Sequence, residues 1–79
     1  MFMALKIRQA DPTDEAAIAR LAQLDSAEAP DGELLVAENG HDLVAALPLA
    51  GGRSVADPFR RSAEAVELLR IRARQLRHS

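Results

Sequence analysis

The chain has 79 residues, 48% of them hydrophobic and 28% charged, with a formal net charge of −2, which is enough for one small domain. It has no cysteine, and its two histidines, His41 and His78, fall in a turn and near the end, so disulfides and a Cys/His metal site are excluded. No stretch approaches the ~20 apolar residues that a membrane span needs.

The start Met1-Phe2-Met3-Ala4-Leu5-Lys6 lacks a charged segment followed by a long apolar one, so it is not a secretory signal and a cytoplasmic protein is expected. Leu5 to Gln9 alternates apolar and polar residues, as a half-buried strand does. Asp11-Pro12-Thr13-Asp14-Glu15 opens a helix with a capping acid, proline in the first position and further acids in the first turn. That helix runs to Leu24 or Asp25, burying Ala17, Ile18, Leu21, Ala22 and Leu24.

Ser26 to Gly32 reads as a loop, and Leu34 to Glu38 as a strand. Asn39-Gly40-His41-Asp42 is a hairpin connection, and Leu43 to Leu49 is the partner strand. Pro48 cannot donate to a ladder, which places its nitrogen toward an edge or a bulge. Gly51-Gly52 turns the chain again into a short strand, Arg53 to Ala56, stopped by Asp57-Pro58. The last helix begins at Arg60 or Ser62 and reaches Leu76. Its main apolar face is Ala65, Val66, Leu69, Ala73 and Leu76, while Leu68 and Ile71 form a second stripe and Arg70, Arg74 and Arg77 a basic ridge. The order is β-α-β-β-β-α in the α+β class, with a mainly antiparallel sheet, both helices on one face, and one core holding Ile7, Ile18, Leu21, Leu35, Val44, Val55, Val66 and Leu69.

Charge is divided unevenly along the chain. Residues 1–52 carry Lys6, Arg8 and Arg20 against nine carboxylates, and residues 53–79 carry seven arginines against Asp57, Glu64 and Glu67. Such a split invites pairing within the chain or with another copy. An open sheet edge at Arg53 and Val55, together with the stripe Leu68 and Ile71, is the expected interface of a homodimer or a partner complex. Arg60, Arg61, Arg70, Arg72, Arg74 and Arg77 raise a weak nucleic-acid binder as an alternative. The acidic first half and the lack of stacking aromatics beyond Phe59 oppose it.

Three segments, in this order, resemble the GNAT-type N-acetyltransferases. Ile7-Arg8-Gln9-Ala10 with Asp14 is similar to that family's opening, and Leu35-Val36-Ala37-Glu38-Asn39-Gly40 with Val44 to its central hairpin. Val55 to Ala65, then Leu68-Leu69, is similar to its acetyl-CoA strand, loop and helix. The resemblance implies that Arg60, Arg61, Ser62, Ala63, Glu64 and Ala65 stand where the cofactor's diphosphate is held. Helix N-termini suit anions through unpaired N–H groups and the dipole. Here the glycine positions hold Ala63 and Ala65, and Glu64 repels a diphosphate.

The family continues with a further strand, helix and hairpin that complete the CoA cleft. The resemblance therefore implies one truncated domain, residues 1–79, that lacks those C-terminal strands. The chain has no tyrosine to act as general acid, and Glu38, beside a turn, reads as an exposed carboxylate rather than a base. The expectation is a non-catalytic association domain with no cofactor and no catalytic residue. An acetyl-CoA-binding N-acetyltransferase, or a subunit of one completed by a second chain, is the alternative.

Overall fold

The structure is a computed structural model and describes residues 5–40, 42–59 and 62–77. Its elements are β1 (Leu5–Gln9), a 3-10 turn (Pro12–Asp14), α1 (Glu15–Leu24), β2 (Leu34–Asn39), β3 (Asp42–Pro48), β4 (Val55–Ala56) and α2 (Ser62–Arg77). The four strands form one antiparallel sheet in chain order, β1-β2-β3-β4. Element order and fold class follow the sequence expectation.

Asp11 begins the first helical segment as a capping box. Its Oδ1 accepts from the N–H of Thr13 at 2.8 Å, and Oδ2 of Asp14 accepts from the N–H of Asp11 at 2.8 Å. Two of the unpaired donors at the helix start are thereby satisfied. At the other end of α1, the N–H of Ala27 bonds the carbonyl of Ala22 at 2.9 Å, with Ser26 at φ 52°. That is a left-handed helix stop, made here by serine where glycine is usual.

One sequence expectation is corrected. The helices cover opposite faces of the sheet, and the apolar residues form two layers. Leu35, Ala37, Val44, Ala45 and Leu47 lie under α2 with Ala65, Leu69 and Ala73, flanked by half-buried Ile7 and Val66. Leu34, Val36, Ala46 and Val55 lie under α1 with Ile18, Leu21 and Ala22. The physical reason is the strand period. Successive side chains point to opposite faces, and Leu34 to Ala37 and Val44 to Leu47 are apolar at every position, so both faces must be covered.

A bulge completes this arrangement. Ala37 pairs with Ala45 but Glu38 pairs with Leu43, which leaves Val44 as the extra residue. Val44 and Ala45 therefore both turn toward α2, while Leu43 and Ala46 turn toward α1. The hairpin closes with Asn39 opposite Asp42 and Gly40 at φ 67°; His41 lies outside the described residues. β3 begins and ends one residue earlier than expected. β4 is shorter than the Arg53 to Ala56 strand expected, with Val55 opposite Ala46 and Ala56 opposite Ala45. Gly51 and Gly52, at φ 102° and 121°, have a backbone conformation that a ladder cannot use. Pro48 sits at the end of β3, beyond the residues that pair with β4, so its missing N–H costs that ladder nothing.

Candidate functional site

The β4–α2 junction is where the sequence places an anion-holding loop. Asp57 continues the ladder by donating its N–H to the carbonyl of Val44 at 3.0 Å, and its Oδ1 accepts from the N–H of Phe59 at 2.9 Å. This side-chain turn fixes the chain just before α2. Oδ2 of Asp25, just past the end of α1, accepts from the N–H of Ala56 at 3.3 Å and ties α1 to β4. Phe59 projects into solvent with 83% of its surface exposed.

Arg60 and Arg61 lie outside the described residues. Ser62 opens α2 half-buried, Ala63 and Glu64 are exposed in its first turn, and Ala65 is fully buried against the sheet. Ala65 can thus reach a ligand only through its backbone. Glu64 complements the positive end of the dipole, which opposes a second anion there.

Arg8, Asp14 and Glu38, from three separate segments, meet on the α1 side of the sheet. Arg8 gives Asp14 a two-pronged grip, Nη1 to Oδ2 at 2.8 Å and Nη2 to Oδ1 at 2.9 Å. Its Nε also donates to Oε1 of Glu38 at 3.2 Å. Asp14 is buried, and hydrogen bonding from Arg8, then from the Asp11 N–H, outweighs the cost of burial and holds its pKa down at about 2 from the usual 3.8. Hydrogen bonds to Asp14 and then to Glu38 push the Arg8 pKa further up. The expectation of an exposed Glu38 is corrected, because its side chain is largely covered and held by Arg8. Glu38 serves here as a charge-assisted acceptor for Arg8.

The expected interface residues divide. Val55 is buried under α1, so β4 can offer a partner only its backbone edge, whereas Arg53 is exposed. Leu68 and Ile71 are exposed by 39% and 42% and sit one turn apart on the outer side of α2. Glu64 and Glu67 precede this pair on the helix, and Arg72 and Gln75, bonded to each other at 3.4 Å, follow it.

Two hollows carry opposite charge. One of about 570 Å³ beside α1 is rimmed by Asp11, Glu15, Asp31 and Glu33. The other, of about 220 Å³, lies between the Gly51-Gly52 turn and the ridge Arg70, Arg74 and Arg77. Sequence reasoning marked the ridge but missed the glycine turn facing it, because that proximity arises only from packing. Among the described residues no group of carboxylates and imidazoles could hold a metal ion, and no helix is long and apolar enough to cross a membrane. Comparison with protein-family models, curated proteins and solved structures finds no match for this chain.

Proposed function

We propose that this chain is an acetyltransferase-like domain that works through protein association, as a homodimer built on α2. The observation that carries the reading is the exposed pair Leu68 and Ile71, with acids on one side along the helix and arginines on the other. Leu68 and Ile71 straddle one point of α2, so an antiparallel second copy sets Leu68 of each level with Ile71 of the other. Each acidic half, Glu64 and Glu67, then lies beside the arginine-rich half of its partner. A single patch that complements itself is what a twofold dimer requires. The acetyltransferase-like part rests on the resemblance of the three segments and on their order, β-α-β-β-β-α, around one antiparallel sheet.

Sedimentation tests the association. Wild type at ~100 μM should sediment as a dimer, since any affinity of biological use populates the dimer there. Ile71→Asp, which puts a charge in the apolar centre, should shift it toward monomer far more than Arg74→Ala, which trims only a rim charge. A monomeric wild type at that concentration rejects the reading.

Cofactor binding separates this reading from the enzyme one. Titration calorimetry with acetyl-CoA should give a Kd weaker than ~10 μM, because Glu64 opposes a diphosphate at the helix start. Glu64→Gly should tighten whatever binding remains. A tighter wild-type Kd that Glu64→Gly improves further would assign the junction to the cofactor instead.

A further inference from the structure

We propose that the hollow between the Gly51-Gly52 turn and α2 is a binding site for a diphosphate or triphosphate group. Arg70, Arg74 and Arg77 line it together with Leu47, Ala73 and the two glycines, and no carboxylate is among its lining residues. Among the described residues none of the three arginines has a carboxylate within ion-pair distance. Arginines three and four residues apart on a helix are neighbours whose like charges repel one another, and a multivalent anion placed among them relieves that repulsion.

The glycine turn lies against the ridge: a Cβ on Gly51 would stand 3.0 Å from Nη1 of Arg77, at the far end of that flexible side chain. The positive φ of both glycines holds the turn in that shape. Arg70 and Arg77 are seven residues apart, roughly 10 Å along the helix, a span suited to two or three linked phosphates rather than one. Planar guanidinium groups bind phosphate oxygens with paired N–H donors, which gives the site its preference for phosphate.

A small phosphorylated molecule fits better than a nucleic acid. The hollow is about 220 Å³, it contains no aromatic ring on which bases could stack, and the chain as a whole is acidic. The site lies on a different flank of α2 from Leu68 and Ile71, and it shares with the dimer proposed above only Arg74, at the rim.

The test is calorimetric titration of the full chain with inorganic pyrophosphate and with ADP at low salt. Pyrophosphate should bind with a Kd on the order of 0.1 mM. Arg70→Gln and Arg77→Gln should each weaken it about tenfold, while Arg20→Gln on α1 leaves it unchanged. These arginines are exposed, and circular dichroism of each variant confirms that it is folded. Tighter binding of ADP than of pyrophosphate supports the site and names a nucleotide as its ligand; equal binding supports it for the diphosphate alone.

Four results would overturn the proposal. The first is a pyrophosphate Kd weaker than ~5 mM. The second is an equal loss in Arg20→Gln, which would make the attraction one of overall charge. A ~20-nucleotide DNA strand bound more tightly than ADP would give the ridge to nucleic acid. Conversion of the dimer to monomer by pyrophosphate would give it to the partner subunit.

Discussion

Leu69→Ala is expected to remove about 3–4 kcal/mol of unfolding free energy, the loss typical of a fully buried leucine truncated to alanine. Leu69 is 0% exposed and stands at the centre of α2's inner face, between Ala65 and Ala73. It shares its layer with Leu35, Ala37, Val44, Ala45 and Leu47, and a close-packed layer relaxes only partly into the space left by a truncated side chain. A 79-residue domain has on the order of 4–12 kcal/mol to lose, so the substitution removes a large part of its stability. Leu68→Ala, one residue away but exposed, should cost less than about 1 kcal/mol. Urea unfolding at low micromolar concentration, where association contributes least, measures both. Equal losses would mean that α2 is rotated from the placement described.

Arg8→Met should cost about 2–3 kcal/mol at neutral pH, because it strips Asp14 and Glu38 of their common partner and leaves Asp14 charged and buried. Restoring neutrality with Asp14→Asn in the same chain should recover part of the loss, and the double-mutant cycle reads the coupling. The pair also sets an acid limit. Asp14 has a folded pKa of about 2 against 3.8 when unfolded. Its stabilisation is therefore complete above the unfolded value and is lost as pH falls from there through the folded one. The shift corresponds to about 2 kcal/mol. Unfolding free energies measured from pH 6 down to pH 2 should show this slope in wild type and a flatter one in Arg8→Met. The same slope in both would separate Asp14's titration from Arg8.

The candidate surfaces were legible to different degrees. Leu68 and Ile71 could be read as exposed because both lie off the helix face that carries Ala65, Leu69 and Ala73. The basic ridge could be read as well, since Arg70, Arg74 and Arg77 recur at helical spacing. That Arg8 would hold both Asp14 and Glu38 could not, because the latter pair joins residues 30 positions apart through strand register. Val55 could be read as buried, but not on which side, since a two-residue strand has too little pattern to show which face is covered.

Local chemistry by itself determined the order of the elements and, to within a residue or two, their bounds. The Asp11-Pro12 cap, the Asn39-Gly40 turn, the Gly51-Gly52 break and the Asp57-Pro58 stop each act on a few neighbouring dihedral angles, so the order β-α-β-β-β-α follows from them. Only the tertiary structure decided which face each helix takes. Leu34 to Ala37 and Val44 to Leu47 offer apolar side chains on both sides of the sheet, and the bulge at Val44 assigns successive residues to one side. A pattern that is apolar at every position does not distinguish one covered face from two. That choice belongs to the packing of whole elements, because exposing either apolar face to water costs more than any local preference supplies.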